Sequence, residues 1–261
     1  MSTVSPLSLN EVLDVALRAA REAGETTLRY FQKNLTVETK SDLSPVTVAD
    51  RESERVLRER IELHFPDHGI LGEEFGAVRE TASHRWVLDP IDGTVSFVRG
   101  VPLFGVMVGF EQAGEPLVGV VHFPALGETV WARQGGGAWW NGNRTGVSEV
   151  GRLEEATLVT SDSKAFASAG FDAAYQRVRA TTKLERTWGD CYGHILVATG
   201  RADIMLDPIL HEWDASALLP ILEEAGGRFT DWRGLRITYG GNAVSTNSLL
   251  HDAIIGLLVG P

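Results

Sequence analysis

The sequence predicts an α+β / α/β chain, on three observations. Two amphipathic helical segments lead into a series of strands, and beyond about Ser148 the pattern switches to alternating strands and helices. The 261 residues, 43% of them hydrophobic, are enough for one large core or two fused smaller ones. We therefore divide the chain into halves at 1–147 and 148–261. No repeat, linker or charge run separates them, so they are expected to share an interface.

The elements follow in order. Ser8-Leu9-Asn10-Glu11 has capping-box spacing, and Leu13, Ala16, Leu17, Ala20 and Ala23 then recur at helical intervals, predicting a helix to about Tyr30. A second helix is expected from about Val46 to His64, with Ala49, Ser53, Val56, Leu57 and Ile61 on one face, Asp50 near its start and Pro66 beyond its end. Strands are predicted at Trp86-Val87-Leu88, Gly105–Phe110, Leu117–Phe123 and Thr129–Ala132, and Asn141-Gly142 marks a tight turn. In the second half come strand Thr157–Thr160, helices Phe171–Val178 and Asp190–Thr199, strand Ala202–Leu206, helix Asp214–Glu224 and strand Gly227–Thr230. Pro220 is expected to kink the helix that contains it, and Gly226-Gly227 to end it.

Charge narrows the function. Lys and Arg total 24 against 35 Asp and Glu, a net charge of −11, which argues against a nucleic-acid footprint. The single cysteine, Cys191, cannot form an intramolecular disulfide and fits a reducing compartment. The segment MSTVSPLSLNEV lacks signal-peptide character, and the longest near-apolar run, Val101–Phe110, is about half a membrane span. A soluble cytoplasmic protein is expected.

Four acidic segments stand out: Asp42–Asp50 (DLSPVTVAD), Gly72–Gly76 (GEEFG), Asp89–Thr94 (DPIDGT) and Trp213-Asp214 before a helix. Singly, each reads as a cap, a turn or a solvated surface. DPIDGT is harder to dismiss, because Asp89 follows an apolar strand and Pro90 forces an extended exit, so Asp89 and Asp92 can converge at the strand's carboxyl end. A set of oxygen donors without His or Cys suits Mg²⁺ better than zinc or copper. Gly93-Thr94 adds backbone amides that can hold a phosphate.

Together and in this order, the four segments resemble the inositol monophosphatase superfamily of Mg²⁺-dependent phosphatases, over nearly the whole chain. The resemblance implies a layered α-β-α-β-α sandwich of the inositol monophosphatase / sugar phosphatase type and, commonly, a homodimer. It implies that Glu73, Asp89, Asp92, Asp214 and the Ile91 carbonyl are metal ligands for two or three Mg²⁺ ions. Asp50 and Thr94, with Glu73, would position and activate the attacking water, and the Gly93 and Thr94 amides would contact phosphate. Glu74 would be the lesser member of its pair, and Cys191 a packed helix residue rather than a nucleophile. GGGAWWNGN, 135–143, looks like that family's hairpin.

RTWGDCYG (186–193), LVATGRAD (196–203), LDP (206–208) and ILEEAGGRFTDWRG (221–234) look like the histidinol-phosphatase branch. The expected reaction is hydrolysis of L-histidinol phosphate in histidine biosynthesis. That substrate carries an amine and an imidazole, so carboxylates at Asp190 and Asp207 are the expected amine partners, since a charge-assisted bond is stronger than a neutral one. Trp188 would either lie against the imidazole or be a buried aromatic, and His211 and Glu212 would be rim residues. Val95 stands where Lys is common after DPIDGT, and His211-Glu212 where that branch often has Asn-Pro. The alternatives are an inositol-1-monophosphatase or broad sugar monophosphatase and, more remotely, a non-catalytic module on the same fold. The intact set Asp50, Glu73, Asp89, Asp92, Thr94 and Asp214 argues against the last.

Overall fold

The molecule is described by a computed structural model covering residues 7–33, 36–39 and 45–260. Asp42–Ser44 of the first acidic segment lies outside them. The first half contains α1 (Leu9–Leu28), a two-stranded ladder of β1 (Glu38–Thr39) and β2 (Pro45–Val46), α2 (Val48–His64), β3 (Gly69–Gly72), β4 (Gly76–Val78), β5 (His84–Asp92) and α3 (Thr94–Val98). It continues with β6 (Gly105–Gln112), β7 (Glu115–Phe123), β8 (Glu128–Arg133), β9 (Gly137–Trp140) and β10 (Asn143–Arg144). The second contains β11 (Thr157–Thr160), α4 (Ser163–Ser168), α5 (Asp172–Thr181), β12 (Leu184–Arg186), α6 (Asp190–Ala198), β13 (Ile204–Asp207), α7 (Glu212–Ala215), α8 (Leu218–Glu224), β14 (Arg228–Thr230), β15 (Ala243–Thr246) and α9 (His251–Val259).

Strands β10-β9-β8-β7-β6-β5-β3-β4 form an eight-stranded sheet, and β12-β11-β13-β15-β14 a five-stranded one. Side-chain alternation builds the layers. On β6, Val106, Val108 and Phe110 face α1 and α2, whereas Met107 faces α6 and α8. On β13, Met205 faces that same middle helical layer, whereas Ile204 and Leu206 face α5 and α9. Among the described residues, an outer core on each side and a central core that surrounds α6 and α8 therefore bind five layers, helix, sheet, helix, sheet, helix, as the resemblance implied.

Three local expectations need correction. Ser8 occupies the N-cap position of α1 but makes no side-chain cap bond; Ser8 and Glu11 are both exposed, where water can satisfy the first amides. The strand at Trp86-Val87-Leu88 runs on to Asp92, with a register shift between Asp89 and Asp92 that accommodates Pro90. The helix expected over 214–224 is broken into α7 and α8 at Ser216-Ala217. Pro220 explains the break, because its ring clashes with the helical carbonyl four residues back, at Ser216. The break rests directly on the large sheet: a Cβ on Gly119 would lie 2.0 Å from the Ala217 carbonyl oxygen. β3, β4, α4, β12, β15 and α9 were not among the elements predicted.

Candidate active site

The end of β5 supplies Asp89 and Asp92. Asp89 is buried and accepts a 2.9 Å hydrogen bond from the Ile91 amide, which folds the Asp-Pro-Ile-Asp turn around it. Asp92 reaches across the molecule to accept a 2.5 Å hydrogen bond from the Cys191 amide at the start of α6. Asp214 enters from α7, where its Oδ2 caps the helix by accepting from the His211 amide at 2.8 Å. Carboxylate oxygens of Asp89, Asp92 and Asp214 lie within 4.8 Å of one another. Among the described residues, no Lys or Arg forms an ion pair with any of them.

That crowding has an electrostatic signature. Burial first, then the charges of Glu73, Asp92 and Asp214, hold the Asp89 carboxyl well above the usual carboxylate range. Asp92 is raised well above it by burial, Asp190 and Asp214. Asp214 is pushed up to about 6, chiefly by burial. Three carboxylates that cannot ionise together without a counter-charge, offering only oxygen donors, fit a hard divalent cation such as Mg²⁺. The Ile91 carbonyl, which accepts from Thr94 Oγ1 at 3.1 Å, is a further oxygen at the same turn.

Glu73 is absent from the tight trio but electrostatically adjacent to it, since its charge raises Asp50, Asp89 and Asp214. Its amide donates to the Leu88 carbonyl at 3.2 Å, extending the β3–β5 pairing. The following turn is clamped by a residue the sequence reading missed: buried Glu54 on α2 accepts from the Glu74 amide at 2.6 Å, the Phe75 amide at 3.2 Å and Arg58 Nε at 2.7 Å. An acid one helical turn from Asp50 on a buried face was the available signal.

Asp50 and Thr94 are bonded to other partners than each other. Asp50 Oδ2 accepts from the Thr47 amide at 2.8 Å and from Thr47 Oγ1 at 2.6 Å, a capping box for α2. Burial pushes Asp50 up to about 6 against these bonds. Gly93, at φ 80°, precedes α3, and a Cβ there would meet the Leu103 carbonyl at 2.9 Å and Asp190 Oδ2 at 3.0 Å.

Beside the trio lies a cavity of about 220 Å³ whose walls include Asp92, Asp190, Asp207 and Asp214. Asp190 has φ 54°, unusual for a non-glycine residue and fixed here by its amide donating to Ser161 Oγ at 2.7 Å. Ser161 Oγ also donates to Asp207 Oδ2 at 3.3 Å. Burial raises the Asp190 carboxyl, and burial with the charges of Asp190 and Asp214 raises Asp207 well above the usual range. Ser161 was missed; its position just beyond the carboxyl end of β11 was the only cue.

Two expected substrate residues stand differently. Trp188 is 42% exposed, so the buried-aromatic reading fails, and it is not among the cavity's lining residues. Glu212 is ion-paired to Arg85, which also bonds the buried Glu111 carboxylate at 2.6 Å. Its charge is thus engaged, holding α7 against β5 and β6. Cys191 is buried in the core between the sheets, and burial with nearby Asp92 keeps its thiol well above its ordinary value, as befits a packed residue.

The described helices include none long and apolar enough to cross a membrane. Residues 8–259 match the model of the inositol monophosphatase family. A histidinol-phosphatase from Chlorobaculum parvum is 42% identical over 94% of this chain and 96% of its own. One from Mycobacterium tuberculosis is 39% identical over 93% and 96%. The solved structure of a Thermotoga maritima IMPase superposes with a TM-score of 0.86 at 33% identity, covering 95% of this chain and 96% of that one.

Proposed function

The chain belongs to the inositol monophosphatase family, and from that premise we propose that it is a Mg²⁺-dependent phosphatase that hydrolyses L-histidinol phosphate to histidinol and phosphate, a step of histidine biosynthesis. The observation that carries the choice of ester is the pair of carboxylates in the cavity beside the acidic trio, buried Asp207 and half-buried Asp190. Inositol phosphate brings only hydroxyls to them, whereas histidinol phosphate brings a cationic amine, which relieves two crowded acids.

Glu73, Asp89, Asp92, Asp214 and the Ile91 carbonyl would hold two or three Mg²⁺ ions. Bound Mg²⁺ neutralises phosphate oxygens, makes water a better nucleophile and stabilises a leaving alkoxide. The chain's own residues do the rest. Gly93 and Thr94 offer their amides to a phosphoryl oxygen. Asp50, fixed by Thr47 and poised near neutrality, works with Thr94 and Glu73 to orient the attacking water and accept its proton. Asp190 and Asp207 hold the amine so that the ester oxygen faces away from the incoming water.

In this reading the halves 1–147 and 148–261 act as one unit, the second contributing Asp214 and the substrate carboxylates. The protein would work as a homodimer in the cytoplasm, whose reducing conditions suit the buried thiol of Cys191. The test is turnover of histidinol phosphate against inositol 1-phosphate at matched Mg²⁺. Higher kcat/KM for histidinol phosphate is expected. Equal or better use of inositol phosphate supports the alternative, an inositol-1-monophosphatase or broad sugar monophosphatase.

A further inference from the structure

One buried polar group in the cavity has no part in the reading above. His194 lies on α6 one helical turn beyond Asp190, so the two share a face of the helix. Both line the cavity that also holds Asp207. The small sheet supports the same alignment: Met205 and Asp207 lie on one face of β13, opposite Ser245 and Ala243 of β15. From that face Ser245 Oγ meets His194 Nδ1 at 2.7 Å. The ring packs against Phe229, its centroid 5.7 Å away, and is fully buried.

The other ring nitrogen, Nε2, has no hydrogen-bond partner. Buried polar atoms are nearly always satisfied, so an orphan on a residue that lines a cavity marks a bond that an occupant of that cavity can complete. Burial takes the imidazole down to about 3, leaving it neutral at physiological pH. Whichever way the bond to Ser245 runs, a neutral ring has one directional hydrogen bond left to give or take at Nε2.

We infer that His194 is a specificity-determining residue at the inner end of the leaving-group pocket, where Nε2 hydrogen-bonds a heteroatom lying beyond the group held by Asp190 and Asp207. The leaving group that satisfies all three is an amino alcohol with a neutral heteroaromatic nitrogen a few bonds from its amine. This rests on the proposed function and adds a second point of recognition to it. Ser245 acts as a positioning residue that fixes the ring.

The test is steady-state kinetics with histidinol phosphate and inositol 1-phosphate for the wild type, His194→Phe, His194→Gln and Ser245→Ala. His194→Phe keeps a ring but removes both nitrogens, and should lower the preference for histidinol phosphate about tenfold, mainly through KM. His194→Gln, which returns a polar atom at similar reach, should recover part of the preference. Ser245→Ala should shift it in the same direction as His194→Phe, by less. Should His194→Phe fail to fold, the other two variants carry the same comparison. Preserved preference in the folded variants, or a loss shared equally by both esters, overturns the role of His194 while leaving the proposed function standing. A wild type that prefers inositol phosphate overturns both.

Discussion

The carboxylate of Asp92 accepts a 2.5 Å hydrogen bond from the amide of Cys191, 99 positions away in the chain. One side chain thus caps a helix of the second half while standing among the acids of the first. Asp92→Asn keeps an acceptor for that amide but loses the charge. We expect a folded protein whose Mg²⁺-dependent phosphate release falls at least about a hundredfold. An unchanged rate would sink the metal mechanism.

The metal-free protein should lose stability as pH rises from about 4 to about 6. Asp50 and Asp214 are raised from an ordinary 3.8 to about 6, so the native state binds more protons than the unfolded chain across that window. Fewer protons in the unfolded state means that stability falls with rising pH, and each shift of about two units is worth on the order of 2–3 kcal/mol. Mg²⁺ should reverse the loss at pH 7. Thermal melts with and without Mg²⁺ at pH 5 and pH 7 read this directly, and a Mg²⁺ effect no larger at pH 7 than at pH 5 would contradict it.

Asp207→Asn should raise KM for histidinol phosphate roughly tenfold or more while changing KM for inositol 1-phosphate much less, because only the first substrate presents a cation to this carboxylate. Parallel changes with both esters would remove Asp207 from amine recognition.

Arg85→Gln leaves the buried Glu111 carboxylate without its cation and releases Glu212. Removing one partner of a buried pair costs about 3 kcal/mol, here reduced because Arg85 is partly exposed, so a loss of about 2 kcal/mol in urea unfolding is expected. Since α7 carries Asp214, the Mg²⁺ concentration for half-maximal activity should rise as well. Unchanged stability would show that the ion pairs do not hold α7.

Much of this was legible because it is local. Strand ends and helix starts announce themselves through neighbouring residues, so Asp89 and Asp92 at the end of β5 and Asp214 near the start of α7 could be located from DPIDGT and Trp213-Asp214 alone. Thr157–Thr160 was found to the residue. The unread features depend on distant partners. Glu212 looked like a free rim acid because Arg85 lies 127 positions away. Likewise, nothing near Glu54 says that it holds the amides of Glu74 and Phe75, and nothing near His194 announces Ser245. Trp188 resembled core because aromatic residues usually are. Pro220 was recognised as a disruption, but the close packing of the broken segment against Gly119, far earlier in the chain, was not legible from its neighbours.

The placement of β15 between β13 and β14 sets an order of events during synthesis. Asp207 pairs in register with Ala243, so until the segment 243–246 has left the ribosome, the strand carrying that acid has an open edge and His194 has no Ser245 to meet. A chain emerging from its N-terminus can assemble the eight-stranded sheet and the DPIDGT turn early, because their strands come first. The cavity lined by Asp190, His194 and Asp207 is completed only later, once β15 is in place. On the proposed function, the nascent protein would therefore have its acidic turn well before it has any means of choosing a substrate.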